Sequence, residues 1–406
     1  MNTTRYFTAK EAAQALGVSR ATLYAYVSRG LVRSEAVGSD KRARRYYAED
    51  VKRLQQQKAL RSNPRQAGQA LHWGAPLIES QITLIADGKL YYRGLDVAEL
   101  AQKASIEEVA SLIWLGERRK GDSLFGQDKY LLDGSQEERL LSLGELPPMT
   151  RFQVMLPLLA LEDWAAYELS REMVAQTGAR ILQTMAGFAV NGIVNEGIVH
   201  TLLRGWGVEQ PNAQNLLNAA LVLCADHEFN VSAFTARCVA SAGSTPYEVV
   251  QAGLAALQGV KHGGQTKKVT AFLRTVHDLS GIRPTIREYL ARGEPIPGFG
   301  HKLYAMGDPR ATILLQMLTT QYPNASVLAL GQQIITELYN ITGKHPNIDF
   351  ALVMLAHVLN LPPSAPLTLF ALGRTIGWIG HAIEQYENNE LIRPRARYTG
   401  KVPSAQ

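Results

Sequence analysis

The sequence predicts an all-α fold, with a large helical domain behind a small helix-turn-helix domain. Apolar residues recur at intervals of three and four in SIEEVASLIWLGE, LLNAALVLCADHEF, PYEVVQAGLAALQG and IDFALVMLAHVLNLP, Gly and Pro punctuate the joins, and strand-like alternation is scarce. Two short segments with polar helix caps open the chain. Positive charge is concentrated there: residues 1–61 hold 13 Lys or Arg against 5 Asp or Glu, whereas the rest hold 29 against 31. That is the electrostatic footprint of a segment that meets a polyanion.

Thr8 and Glu11 make a T-x-x-E capping box that opens a helix over Ala9–Leu16, and Gly17 is placed to stop it in a left-handed conformation. Ser19 caps a second helix from Arg20 to Arg29, ended by Gly30. Its Arg20, Thr22, Tyr24, Tyr26 and Arg29 suit a groove floor and phosphates, which makes it a candidate recognition helix. Val32 to Tyr47 reads as an extended hairpin about Gly38, Ser39 and Asp40 that carries Lys41, Arg42, Arg44 and Arg45. Ala48 to Leu60 returns to a helical pattern.

The order YFTAKEAAQALGVSRATLYAYVSRGLVR…RRYYAEDVKRL resembles the DNA-binding domains of MerR-like and excisionase-like regulators, in which a basic wing follows the helix-turn-helix. The resemblance implies a winged helix-turn-helix domain over 1–60 that meets DNA through Arg20, Thr22, Tyr24, Arg42, Arg44 and Arg45. The alternative is a protein-contact module whose surface is incidentally basic. Residues 61–75, with Pro64, Gly68 and Gly74 as breakers, read as a linker to a second domain over 76–406.

Within that second domain, ITLIADGKLYYRG reads as two short strands about an Asp87-Gly88 turn, and almost everything after it is helical. With 46% hydrophobic and 19% charged residues, the 406-residue chain can build one large core and a small accessory domain. No apolar stretch reaches the roughly 18 residues needed to span a bilayer, and the amino terminus reads as a helix start rather than a signal peptide, so the expected setting is cytoplasmic. Cys224 and Cys238 offer neither a disulfide framework nor a metal-type spacing. Asp226, His227 and Glu228 are adjacent and, if helical, diverge by about 100 degrees each, too far to share a metal. No Ser or Cys lies in a nucleophile-elbow context, and no glycine-rich phosphate loop follows a strand.

What remains is a set of His, Arg and Asp residues in Gly- or Pro-rich breaks between helices: His262 in LQGVKHGGQTKK, His301 and Arg310 in IPGFGHKLYAMGDPRA, Asp349 in HPNIDF, Arg374 in ALGRTIGW and Arg393 in LIRPRARY. Breaks between helix ends are where polar side chains can converge on one cleft. In this order, and with GAPLIESQITLIADGKLYYRGLDVAELA and ADHEFNVSAFTARCVASAGSTPYEVVQAGLAALQG before them, they resemble the citrate synthases through nearly the whole segment.

The resemblance implies the citrate synthase fold, with a small catalytic subdomain at about 226–335, and condensation of an acyl-CoA with oxaloacetate. It assigns the base to Asp349, the enol-stabilising donor to His262 and the donor to the oxaloacetate carbonyl to His301. These roles suit residues that take a proton and that stabilise charge developing late in the step. His227, Arg310, Arg374 and Arg393 are expected to hold the two carboxylates, the last reaching across from a partner subunit of a homodimer. CoA is expected over Pro297, Gly298, Phe299 and Gly300, with Lys302 near its phosphates. No permanently bound cofactor and no metal are implied; the co-substrate is acetyl-CoA or propionyl-CoA.

Two departures stand out. Gln265-Thr266 follows His262-Gly263-Gly264 where the family usually has Ala-Asn, and Ala351-Leu352-Val353 replaces the usual small residues after Asp349-Phe350. The stretch from about Leu146 to Val199 also reads shorter than in the family. These features keep a second reading open: a DNA-binding regulator that uses its citrate synthase-like domain as a sensor of CoA or oxaloacetate.

Overall fold

The computed structural model describes residues 6–37, 40–48, 50–52, 54–55, 78–119, 122–126, 146–190, 197–394, 396 and 398–401. The chain divides into two compact units, 1–79 and 80–406. The expected linker at 61–75 and the hairpin tip Gly38-Ser39 lie outside the described residues.

The first unit is built from strand β1 (Tyr6–Thr8), helices α1 (Ala9–Leu16) and α2 (Arg20–Ser28), and strands β2 (Ser34–Val37) and β3 (Asp40–Tyr47). The Thr8–Glu11 capping box forms as the sequence predicts, and Gly17 ends α1 at φ 59°. Ser19 caps α2 by accepting from the Thr22 N–H. The helix stops one residue earlier than expected, with Arg29 as its C-cap. The hairpin is joined by β1 in an antiparallel sheet of order β1-β3-β2, an extra strand that a three-residue segment gives no periodicity to reveal. Ala12, Leu16, Leu23, Val32, Tyr46 and Val51 close its small core.

The second unit opens on β4 (Thr83–Ala86), β5 (Lys89–Tyr92) and β6 (Leu95–Asp96), antiparallel in that order. Asp87 (φ 51°) and Gly88 (φ 73°) supply the two left-handed residues that a tight hairpin turn requires. There follow α3 (Val97–Lys103), α4 (Ile106–Leu115), α5 (Asp122–Phe125), α6 (Pro148–Glu162), α7 (Arg171–Ala189), α8 (Ile198–Gly205), α9 (Ala213–Cys224), α10 (Val231–Ser241), α11 (Pro246–Leu257), α12 (Gln265–Val276), α13 (Ile282–Ala291), α14 (Pro309–Gln321), α15 (Ser326–Thr342), α16 (Ile348–Val358) and α17 (Ala365–Asn388). Apart from the two small sheets the architecture is helical, as predicted. Among the described residues, no helix is long and apolar enough to cross a membrane.

The long helix α17 is the centre of the unit, buried on all sides through most of its length and packed against α4, α7, α9, α10, α11 and α16. Close packing rests on small residues at its contacts. A Cβ on Gly178 of α7 would lie 2.8 Å from Ile379, and one on Gly253 of α11 would lie 2.5 Å from the Trp378 ring. Polar bonds fix the register: the Trp114 indole donates to the Ile376 carbonyl at 2.8 Å, and Glu384 accepts from buried Arg237 at 2.8 Å and from the Gln81 N–H at 2.7 Å.

One expectation changes here. Asp226, His227 and Glu228 are not helical: α9 ends at Cys224, and the three lie in the turn before α10, with Glu228 at φ 50°. Among the described residues, no His, Cys, Asp and Glu cluster could hold a metal ion there or elsewhere. The stretch from Leu146 contains α6, a short 3-10 turn (Trp164–Tyr167) and α7, which cover one side of α17 and α11. Gly253→Ala should lower stability by about 1–3 kcal/mol through overpacking against Trp378. Thermal denaturation checks this, and an unchanged melting temperature would show that the contact has slack.

Candidate active site

The turn between α9 and α10 presents His227 because α17 lies hard against it. A Cβ on Gly373 would lie 2.5 Å from the Leu221 carbonyl, and one on Gly377 would collide with Ala225 O and Asp226 Oδ1. Arg374, beside the first of these glycines, is therefore carried to the turn, where its Nε donates to the Cys224 carbonyl at 2.9 Å. Its Nη2 is buried without a hydrogen-bond partner. Burial lowers the pKa of this guanidinium, against the stabilising charge of Asp226.

Arg310 is set by its own cap. Asp308 precedes Pro309, the first residue of α14, and receives Arg310 through Nε at 2.9 Å and Nη2 at 2.8 Å. The same carboxylate accepts the Ile348 N–H at 3.1 Å, which ties the start of α14 to the start of α16 and so to Asp349. Burial alone would depress the Arg310 pKa, but the Asp308 pair more than offsets it and holds the group cationic.

Asp349 lies in the first turn of α16, after the Asn347 cap. Its Oδ1 is buried with no hydrogen-bond partner. Burial pushes its carboxyl up to about 7, a rise that Arg310 moderates. A carboxylate with an unpaired buried oxygen and poised near neutrality is suited to taking a proton.

The three histidines are each neutral in this setting. His262 follows α11 in a turn closed by Gly264 N–H to Gly259 O (3.2 Å), and its Nε2 lies 2.8 Å from the Ser232 hydroxyl. Burial, with Arg374 and Arg310 adding to it, pulls its pKa to about 4. His301 accepts the Leu303 N–H on Nδ1 at 3.1 Å, so its proton sits on Nε2. Its pKa also falls to about 4, through burial and the Arg310 charge. His227 bonds the Tyr304 hydroxyl through Nε2 at 2.9 Å, and its ring centroid lies 5.2 Å from that of His301. Burial and then Arg310 and Arg374 hold it well below the usual histidine range. Asp349, His262 and His227 thus share the field of the same two buried arginines.

The Pro297–Gly300 segment pairs with the strand-like approach to Asp349. Gly300 N–H donates to His345 O at 2.8 Å, and Asn347 N–H donates to Gly298 O at 2.9 Å. Pro297, Gly298 and Phe299 are buried; Gly298, at φ 81°, leaves no room for a Cβ beside Val269 and Phe350, and Phe299 packs on the Phe350 ring at 4.9 Å. Lys302 is exposed just beyond. Arg393 is exposed past the end of α17 and, among the described residues, no hydrogen bond or ion pair joins it to the buried group.

Several supports escaped the sequence reading. Ser232 bonds His262, Tyr304 bonds His227 and packs on His301, and His381 bonds Asp226, all across the fold, while Asp308 holds Arg310 two residues on. Asp308-Pro309 and Asn230-x-Ser232 are recognisable as cap patterns, but nothing local says which side chain a cap also holds. The altered Gln265-Thr266 pair braces the His262 turn: Gln265 Nε2 donates to Val260 O at 2.6 Å and the Thr266 hydroxyl donates to Gly263 O at 3.1 Å.

In the first unit, Arg20, Tyr24 and Arg44 are exposed. The Thr22 hydroxyl is 2.9 Å from that of Ser19, and Arg45 is paired with Glu35 at 2.6 Å and lies over the Tyr6 ring at 4.0 Å. The Arg42 side chain is outside the described residues.

The profile of the citrate synthase C-terminal domain matches residues 70–395, and that of the MerR helix-turn-helix regulatory family matches residues 7–64. Citrate synthase 2 of Bacillus subtilis is 30% identical over 80% of this chain and 94% of its own length. The 2-methylcitrate synthase 2 of Corynebacterium glutamicum is 28% identical over 77% of this chain and 89% of its own. The Thermoplasma acidophilum citrate synthase, solved with carboxymethyl coenzyme A and oxaloacetate, superposes with a TM-score of 0.69 at 23% identity, covering 82% of this chain and 96% of that one. With a family profile that spans most of the chain, this protein belongs to the citrate synthase family, as a citrate synthase-type enzyme with a MerR-like helix-turn-helix unit at its amino terminus.

Proposed function

We propose that the protein condenses acetyl-CoA or propionyl-CoA with oxaloacetate, giving citrate or 2-methylcitrate and free CoA. The observation that carries the reading is a pair of buried open valences, Arg374 Nη2 and Asp349 Oδ1, amid three neutral histidines. A dicarboxylate supplies the acceptor that Arg374 lacks, and Asp349 takes the proton beside the thioester. His301, with its proton on Nε2, donates to the ketone oxygen. The single Ser232 hydrogen can go to Asn230 Oδ1, at 2.7 Å, or to His262 Nε2. Turned to His262, it leaves the ring proton on Nδ1, the form that donates to the enol oxygen. Arg310 and His227 complete the oxaloacetate pocket, with Arg393 supplied by the second subunit of a homodimer. CoA lies along the Pro297–Gly300 segment near Lys302.

The dimer is supported by an exposed apolar row on α6, Val154, Leu158 and Leu161, continued by Trp164 and Tyr167, a surface that a second copy would cover. A cytoplasmic setting suits its two free cysteines. The second reading, a DNA-binding regulator, is favoured by the basic first unit with Arg20, Tyr24 and Arg44 exposed; it is compatible with catalysis.

Mixing the protein with oxaloacetate and either acyl-CoA should release free thiol, and the ratio of kcat/KM values names the donor. Asp349→Ala should cut turnover at least about a hundredfold while oxaloacetate binding stays within about twofold. No release with either donor, from protein that still binds oxaloacetate or CoA, would leave the regulator reading in its place.

Because the Asp349 carboxyl sits near 7 and must be ionised to act, kcat/KM should fall about tenfold per unit as pH drops below about 7. The sign for stability is opposite. A carboxyl raised in the folded state favours folding below its ordinary range, and that contribution is lost as pH rises through about 7. Asp349→Asn should therefore gain melting temperature over the native chain at pH 8 but not at pH 4, and a constant difference would place the Asp349 titration elsewhere.

For the amino-terminal unit, replacing Arg42, Arg44 and Arg45 by Ala should weaken binding to all DNA sequences alike and flatten the log–log salt dependence by about 3. Unchanged affinity and slope would remove the β2–β3 hairpin from the interface.

A further inference from the structure

We infer that Thr83 and His381 are positioning residues for the oxaloacetate site, acting through Asp226. Three consecutive residues, from the last of α9 into the turn that presents His227, are bonded to α17 at regular steps. Cys224 O receives Arg374 Nε at 2.9 Å, Ala225 O receives the Gly377 N–H at 3.0 Å, and Asp226 Oδ1 meets His381 Nε2 at 3.2 Å. Gly377 has to be Gly for this, since a Cβ would strike both Ala225 and Asp226. The other oxygen of Asp226 accepts the Thr83 hydroxyl at 2.5 Å, from the first strand of the hairpin.

Asp226 and His381 are fully buried, so their bond is shielded from water and holds the turn in one place. Burial would raise the Asp226 carboxyl, but the contact with His381, the Arg374 charge and the Thr83 hydroxyl more than offset it. Asp226 is thereby the resident countercharge of Arg374, whose Nη2 stays open. Without it, Arg374 loses the buried countercharge that favours its cationic form while the site is empty.

This inference rests on the reading that Arg374 and His227 hold oxaloacetate. The experiment is calorimetric titration of oxaloacetate into the native protein, Thr83→Val, Thr83→Ser, His381→Asn and Arg374→Ala, with kcat measured at saturating oxaloacetate. Val fits a half-buried strand position, so Thr83→Val keeps the test open even where the buried His381 variant does not fold. We expect Thr83→Val to weaken binding about three- to tenfold with kcat within about twofold, and Thr83→Ser to restore it. A folded Thr83→Val that binds as the native protein does overturns the inference while Arg374→Ala still loses binding. Native-like binding by Arg374→Ala overturns the underlying reading and the inference with it.

Discussion

The close approach of α17 to the turn after α9 is the constraint on which the second unit depends. A helix that is buried on nearly every face can bring a guanidinium into the middle of a protein only if its neighbours come within backbone distance, and Gly373 and Gly377 permit that. The consequence is a polar seam inside an apolar helix: Arg374, Gly377 and His381 face consecutive residues of one turn. The same seam fixes His227 on its far side. Packing and chemistry are therefore one feature here, and loosening the helix contact moves the site.

The buried charges are arranged unevenly. Arg310 has both arms of its fork on Asp308, whereas Arg374 has one nitrogen on a carbonyl and one on nothing. Leaving a buried donor unpaired costs about 1–3 kcal/mol, so the fold carries a local instability that an anionic ligand removes. Asp349 carries the matching instability of opposite sign, expressed as a raised pKa. Unmet valences of both kinds in one cleft distinguish a site from a structural ion-pair network such as Asp163–Arg180, whose groups are all engaged.

In the first unit, the same bookkeeping separates surface charge from committed charge. Arg33 is bound to buried Asp50 and Arg45 to Glu35, so part of the basic excess serves the unit's own sheet and helix contacts. Arg20, Tyr24 and Arg44 remain turned outward, and an electrostatic interface has to be built from such residues rather than from net charge.

The sequence by itself determined what depends on neighbours along the chain. The Thr8–Glu11 box, the Asp87-Gly88 turn, the Gly17 helix stop and the helical periodicity are all local energies, and each appears at its place. Polar residues in the breaks between helices were legible as candidates for the same reason. The structure alone decided that Asp226 and His227 leave the helix, that Ser232, Tyr304, Asp308 and His381 stand behind the site, and which nitrogen or oxygen stays unpaired. Those outcomes depend on desolvation and on partners that are mostly distant in the chain, from 30 residues for Ser232 and His262 to 155 for Asp226 and His381. Such partners have no period in the sequence, and no carboxyl carries its pKa in its own letter.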